Sequence, residues 1–313
     1  MDSQTNLPEA STIAILGAGA WGSALAKLAN ANQHRVTLWS RQSSQSLAEA
    51  IAGSDMIVSA ISMKGVASIA KQLQEICSPE QTILVSATKG LEPITGNTPA
   101  QIWRKALPNH PIVVLSGPNL SKEIDAGLPS ATVVASDDTK AAQIVQTAFA
   151  SKNFRVYTNS DPIGVELGGT LKNVIAIAVG VCDGLQLGTN AKAALITRAL
   201  MEIIRVGSYF GARPETFWGL SGLGDLLATC NSHLSRNYQV GFALAQGKQL
   251  DEAIASISGT AEGVNTAHVL IAISDRENIA VPVSRYVYRL LKGEINPQQA
   301  VEGLMERDLK PES

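Results

Sequence analysis

The chain has 313 residues, 45% of them hydrophobic and 17% charged, which is enough for two domains with sizeable apolar cores. Its net charge of −2 gives no electrostatic footing for nucleic acid or an anionic membrane, so neither is expected as a partner. The cysteines Cys77, Cys182 and Cys230 form no Cys-x-x-Cys pair, and His34, His110, His233 and His268 are scattered; free thiols and no metal site are expected.

The N-terminus, Met1-Asp2-Ser3-Gln4, has neither a basic nor an apolar leader segment, so no secretory signal and a cytoplasmic location are expected. Short apolar runs follow: Ile13–Leu16, Arg35–Trp39, Met56–Ile61, Thr82–Val85, Ile112–Leu115, Ala131–Ala135 and Phe154–Tyr157. Such runs suit strands buried on both faces. Helical stretches such as Ser23–Asn32 and Ser43–Ala52 lie between them. That alternation predicts an α/β, doubly wound, largely parallel sheet of the Rossmann type.

The pattern changes near residues 158–162. From Pro162 onward the chain reads as all-α, with helices at Asn190–Gly207, Leu250–Ser256, Ala261–Glu277 and Val283–Lys292, interrupted by a glycine-rich loop over Gly219–Gly224. The longest apolar run, Val174–Cys182, is too short to span a bilayer and reads as a buried helix. The tail from Arg307 is charged and expected to fray. Two domains are expected, residues 1–160 and 161–313.

The first strand runs into Gly17-Ala18-Gly19-Ala20-Trp21-Gly22, a Gly-x-Gly-x-x-Gly sequence that opens a helix. In this context the glycines are a dinucleotide fingerprint. Gly17 permits the turn, Gly19 admits a pyrophosphate, and Gly22 lets helix pack on strand. The second strand ends Trp39-Ser40-Arg41-Gln42, without the acid that usually bonds the ribose 2′-hydroxyl of NAD. Ser40 and Arg41 either hold a 2′-phosphate, which favours NADPH over NADH, or Arg41 is a solvated loop residue.

Five later segments carry chemistry. Lys172, in Glu166–Asn173, precedes the apolar run; it is either a proton donor in a cleft or a lysine snorkelling at a helix start. Asp225, after a glycine turn, either pairs with such a lysine or caps a helix. Ser235-Arg236-Asn237 suits a phosphate or forms an exposed polar turn. Lys89 and the Ser116-Gly117-Pro118-Asn119 stretch each follow a strand, which puts both on the carboxyl edge of the sheet where ligands bind in this architecture.

Taken together, GAGAWGSALA, ATKGLE, SGPNLSKEI, ELGGTLKNVIAIAVGVCDGL, NAKAALITRAL, SGLGDLLATC, SRN and AEGV resemble the NAD(P)-dependent glycerol-3-phosphate dehydrogenase family, in the family's order and over nearly the whole chain. The resemblance implies a 6-phosphogluconate dehydrogenase-like helical second domain. It implies reversible hydride transfer between dihydroxyacetone phosphate and sn-glycerol 3-phosphate, with Lys172 as general acid/base. Substrate would be bound by Lys89, Gly117, Asn119, Lys172, Asp225, Thr229, Ser235, Arg236 and Asn237. The dinucleotide would be lined by Gly17, Gly19, Trp21, Gly22, Arg41, Lys89, Ser121, Arg236 and Glu262. A homodimer and a supply of glycerophospholipid precursor are also implied.

The chain departs from the family pattern near the adenosine end. A segment after Arg41 is short, and the third strand ends Ile61-Ser62-Met63. Asn119, Ser121 and Thr189 also stand where the family often has other residues. The competing readings are a hydroxyacid or 6-phosphogluconate-type dehydrogenase of the same architecture, and a non-catalytic NADPH sensor.

Overall fold

The computed structural model describes residues 10–76 and 79–308. The readings made for the N-terminal leader, for Cys77 and for the last residues of the tail lie outside the described residues. In chain order the first part is β1 (Thr12–Leu16), α1 (Ala20–Ala31), β2 (Arg35–Trp39), α2 (Leu47–Ile51), β3 (Met56–Ser59), α3 (Met63–Ile76), β4 (Ile83–Ser86) and α4 (Pro99–Ala106). It continues with β5 (Ile112–Ser116), α5 (Ser121–Asp125), β6 (Ser130–Ala135), α6 (Thr139–Phe149) and β7 (Phe154–Asn159). The strands form one sheet in the order β2-β1-β3-β4-β5-β6-β7, parallel except where β6 runs against β5. The chain therefore belongs to the expected class, a doubly wound sheet followed by helices.

Alternation along the strands explains why the sheet is covered twice. Ile13 and Ile15 face α1 and α6, with Val58, Val85 and Phe149. Ala14 and Leu16 face α2, α3 and α4, with Ile57, Leu84 and Trp103. Strand order reverses at β1, so the loops after β1, β3 and β4 open side by side at one edge, the usual ligand crevice of such sheets.

The second part is α7 (Pro162–Gly184), α8 (Gly188–Tyr209), a 3₁₀ turn at Pro214–Trp218, a π-helical turn at Leu220–Gly224, α9 (Asp225–Cys230), α10 (Arg236–Ala245), α11 (Leu250–Ala255), α12 (Glu262–Glu277), α13 (Pro282–Leu291) and α14 (Pro297–Met305). Helix α7 is its axis. By length and composition α7 could cross a membrane, but 94% of its most apolar window is buried inside this fold, as in the core helix of a globular domain. Its start is fixed by Asp161, which accepts from Gly164 N at 2.9 Å, with Pro162 in the first turn. The other Asp161 oxygen accepts from Arg213 N and Thr216 Oγ1, tying that start to the 3₁₀ turn. Where α10 crosses α7 the backbones touch. A Cβ on Gly180 would lie 2.1 Å from the Tyr238 carbonyl oxygen, and one on Gly241 would lie 1.9 Å from that of Ile177.

Several local expectations are corrected. The helix expected over Ser43–Ala52 is only Leu47–Ile51, because serine hydroxyls hold the preceding backbone in a turn: Ser43 Oγ accepts from Ser40 N at 2.9 Å, and Ser40 Oγ accepts from Gln42 N at 3.3 Å. Lys172 does not lead its helix but sits in the middle of α7, which begins at Pro162. The glycine-rich stretch is not a loop: Leu220–Gly224 is wound into a helical turn that runs into α9, where burial of Ser221 and Gly222 outweighs the poor helix propensity of glycine. Ser235–Asn237 is not an exposed turn but the N-cap and first turn of α10, with Ser235 Oγ accepting from Tyr238 N.

Candidate active site

The dinucleotide end is built by three glycines. Gly17 has φ +117°, a conformation that side chains rarely adopt. A Cβ on Gly22 would lie 1.8 Å from the Gly17 carbonyl oxygen, so α1 can lie this close to β1 only with glycine there. At Gly19 a Cβ would meet nothing within 4 Å, and neither a side-chain cap nor an acidic residue occupies the start of α1. The open, uncapped N–H groups at this helix start fit a pyrophosphate. Trp21, in the first turn of α1, donates from Nε1 to the Ala87 carbonyl at 3.2 Å, which ties the fingerprint to the end of β4. Arg41 is exposed beyond β2, next to the Ser40–Ser43 turn.

At the same edge Lys89, Lys172 and Asp225 come together. Asp225 is 2% exposed and is the first residue of α9. Its Oδ1 lies 2.5 Å from Lys172 Nζ, and its Oδ2 lies 2.5 Å from Lys89 Nζ. The capping alternative for Asp225 therefore gives way to lysine pairing; Gly224 occupies the N-cap position. Thr229, one turn further along α9, accepts from Lys172 Nζ and donates to Asp225 Oδ1. Lys89 also reaches the Gly117 carbonyl at 3.4 Å. Burial holds Lys172 down at about 8; Lys89 nearby pushes the same way, and Asp225 opposes both.

Asn119 donates from Nδ2 to Thr132 Oγ1 at 2.9 Å, and its buried Oδ1 has no partner among the described residues. Buried acceptors are normally paired, so this oxygen stands out among the polar atoms at the sheet edge. Ser121 opens α5 and is partly exposed. Arg236 is exposed at the start of α10. It bears on Glu262, whose Oε1 accepts from Met63 N at 3.4 Å; burial raises the Glu262 carboxyl, and that hydrogen bond and the Arg236 charge oppose the rise. Arg236 and Glu262 both belong to the helical part, and the Glu262 carboxylate reaches back to Met63 at the start of α3.

Two of the expected binding residues are already engaged internally. Ser235 caps α10. Asn237 donates to Asn173 Oδ1 at 2.9 Å and accepts from Gly263 N at 2.9 Å, joining α7, α10 and α12. Sequence reasoning gave no role to Glu166, a fully enclosed carboxylate on α7; an acid set between Val165 and Leu167 in an apolar stretch was the available signal. Among the described residues, no group of three or more His, Cys, Asp and Glu side chains could hold a metal.

The arrangement can place a cationic proton donor beside a reacting oxygen, with a dinucleotide on one side and an arginine at the mouth. Residues 161–302 match the family model described as NAD-dependent glycerol-3-phosphate dehydrogenase C-terminus, and residues 12–46 and 42–142 match the corresponding N-terminus. A protein of Synechocystis sp. named "Glycerol-3-phosphate dehydrogenase [NAD(P)+]" is 66% identical over 300 residues, covering 96% of this chain and 95% of that protein. One of Trichormus variabilis with the same name is 64% identical over 301 residues, covering 96% and 98%. The crystal structure of glycerol-3-phosphate dehydrogenase from Coxiella burnetii superposes with a TM-score of 0.92 at 35% identity, covering 96% of this chain and all of that one.

Proposed function

This chain belongs to the NAD-dependent glycerol-3-phosphate dehydrogenase family and is an NAD(P)-dependent oxidoreductase, and from that premise we propose that it reduces dihydroxyacetone phosphate to sn-glycerol 3-phosphate with NADPH, with Lys172 as the acid. The observation that supports this reading best is the pairing of one buried carboxylate, Asp225, with Lys172 from the helical domain and Lys89 from the sheet domain.

The chemistry follows from the charges. When bound, the nicotinamide supplies the hydride. Reduction builds negative charge on the carbonyl oxygen, and Lys172 Nζ stabilises that charge and gives up a proton to it. Asp225 and Thr229 orient Nζ through the hydrogen bonds described above. Lys89 binds the other oxygen of Asp225, so two ammonium groups share one carboxylate and the trio keeps an excess of positive charge. In oxidation of the alcohol, neutral Lys172 takes the hydroxyl proton. Arg236 holds the substrate phosphate, and Asn119 Oδ1 accepts from a substrate hydroxyl. Residues 1–160 serve the dinucleotide and 161–313 the substrate. The enzyme acts in the cytoplasm as a homodimer and feeds glycerophospholipid synthesis.

The reading is tested by following the near-ultraviolet absorbance of the reduced nicotinamide with purified protein and dihydroxyacetone phosphate, with NADPH and NADH in parallel. Oxidation that depends on the phosphorylated ketone, faster with NADPH, is expected. Turnover of a hydroxyacid instead, or NADPH binding without turnover of either, overturns it in favour of a hydroxyacid dehydrogenase or a sensor.

A further inference from the structure

A helix lodged between two domains carries its reactive group accurately only if its slide and rotation are fixed. Apolar packing alone leaves near-equivalent arrangements, whereas a buried hydrogen bond is directional. Helix α7 is anchored by such bonds to the sheet domain at two residues, one turn apart on the same face. At Glu166, 2% exposed, Oε1 accepts from Ala100 N at 2.8 Å and from Ser86 Oγ at 3.3 Å. At Thr170, fully buried, Oγ1 accepts from Gly90 N at 3.1 Å. Ser86 ends β4, and Gly90 follows Lys89. The two anchors therefore grip both ends of the segment that delivers Lys89, while Lys172 lies between one and two turns beyond Glu166 on the same helix.

We propose that Glu166, together with Thr170, is a positioning residue that sets the spacing of Lys89 and Lys172 about Asp225. The inference rests on the reading of Lys172 as proton donor. The carboxylate is kept at a cost. Burial pushes the Glu166 carboxyl up to about 7, against the hydrogen bonds from Thr98, Ala100 and Ser86 and the charge of Arg104 on α4. Among the described residues no salt bridge reaches Glu166, and Arg104 offsets its burial only in part. A residue chosen only for packing would be apolar at this position. The carboxylate supplies an acceptor at the amino end of α4, where the free N–H of Ala100 and the helix dipole both favour it.

The test is steady-state kinetics on the full chain carrying Glu166→Ala, Glu166→Gln and Thr170→Val. A misplacement of about 1 Å costs on the order of 100-fold in rate, so Glu166→Ala should lower kcat by about 10- to 100-fold. NADPH affinity, read from the fluorescence of the bound nicotinamide, should be unchanged, because the fingerprint glycines do not touch Glu166. The alkaline limb of the pH–rate profile, which titrates Lys172, should move. Glu166→Gln keeps an acceptor for Ala100 N and should restore most of kcat. A folded Glu166→Ala protein with kcat near the parent value overturns the proposal. So does a Gln variant no better than Ala, or a parallel loss of kcat and NADPH affinity. If Glu166→Ala does not fold, Thr170→Val decides: a loss confined to kcat supports the proposal, and an unchanged kcat overturns it. The reading of Lys172 fails separately, if Lys172→Ala keeps its turnover.

Discussion

Lys172 Nζ and Asp225 Oδ1 meet at 2.5 Å in a buried site although 53 residues separate them in sequence. The same carboxylate binds Lys89 through its other oxygen, so the carboxyl edge of the sheet and the axial helix α7 share one anion.

Removing the proposed acid should cost chemistry and spare cofactor binding. Lys172→Ala is expected to lower kcat by about 100- to 10,000-fold, the usual range for general acid catalysis. NADPH titration followed by the fluorescence of the bound nicotinamide should give the parent affinity, since Trp21 of the fingerprint is held by Ala87 rather than by the lysine. Near-normal turnover in this variant would remove Lys172 from the mechanism.

The two directions should respond oppositely to pH. Lys172 titrates at about 8, and reduction needs its protonated form. The kcat for ketone reduction should therefore fall as pH rises through about 8, and the kcat for alcohol oxidation should rise over the same interval. Asp225 raises the Lys172 value, so Asp225→Asn should move both limbs to lower pH. A shift to higher pH would contradict the assignment.

Arg236→Ala should act on the substrate phosphate. Loss of a charge-assisted pair is worth about 1.5–3 kcal/mol, so KM for dihydroxyacetone phosphate should rise by roughly 10- to 150-fold. Lysine should rescue only part of this, because it offers a point charge in place of a planar fork. An unchanged KM in the alanine variant would take Arg236 out of the phosphate site.

The adenosine end carries a separate prediction. Arg41 is exposed beside the Ser40–Ser43 turn, and Arg41→Ala should lower kcat/KM for NADPH by about tenfold or more while leaving NADH little changed. Equal losses with both cofactors would show that Arg41 does not read the 2′-phosphate.

The sheet was legible because its inner strands are buried on both faces and read as apolar runs, whereas the edge strands β2 and β7, expected to be buried the same way, expose residues such as Arg35 and Arg155. The fingerprint was legible because its glycines follow a strand and open a helix. The helical domain was harder. Gly168 and Gly222 look like breaks, yet close packing on the backbone of Ser221 and Phe217 keeps them helical, which local propensity cannot report. The meeting of Lys89, Lys172 and Asp225 is a tertiary fact. Each residue alone is compatible with a cap or a snorkelling lysine, and the family resemblance, rather than spacing, joined them. Glu166 was passed over because its partners are a backbone N–H and hydroxyls, which leave no charge pattern to read.

The crossing of α7 and α10 predicts tight tolerance to volume. Gly180→Ala and Gly241→Ala would each drive a methyl into a carbonyl of the facing helix, at 2.1 Å and 1.9 Å. Each should destabilise the chain by about 1–3 kcal/mol, read as a lower Tm. Gly247→Ala, where a Cβ meets nothing within 4 Å but φ is +86°, separates backbone strain from collision.

That crossing also decides what kind of selectivity the site can have. With no side chain between the two backbones, and with Asn237 stitched to Asn173, α10 cannot shift along α7. In the proposed roles, the group that grips the phosphate and the group that hands over the proton are then parts of one rigid body, and their separation is set during folding. The pair works as a gauge. In those roles, a substrate with one carbon more between phosphate and carbonyl would suit one of the two groups at the expense of the other, a selection by length that owes nothing to a pocket wall.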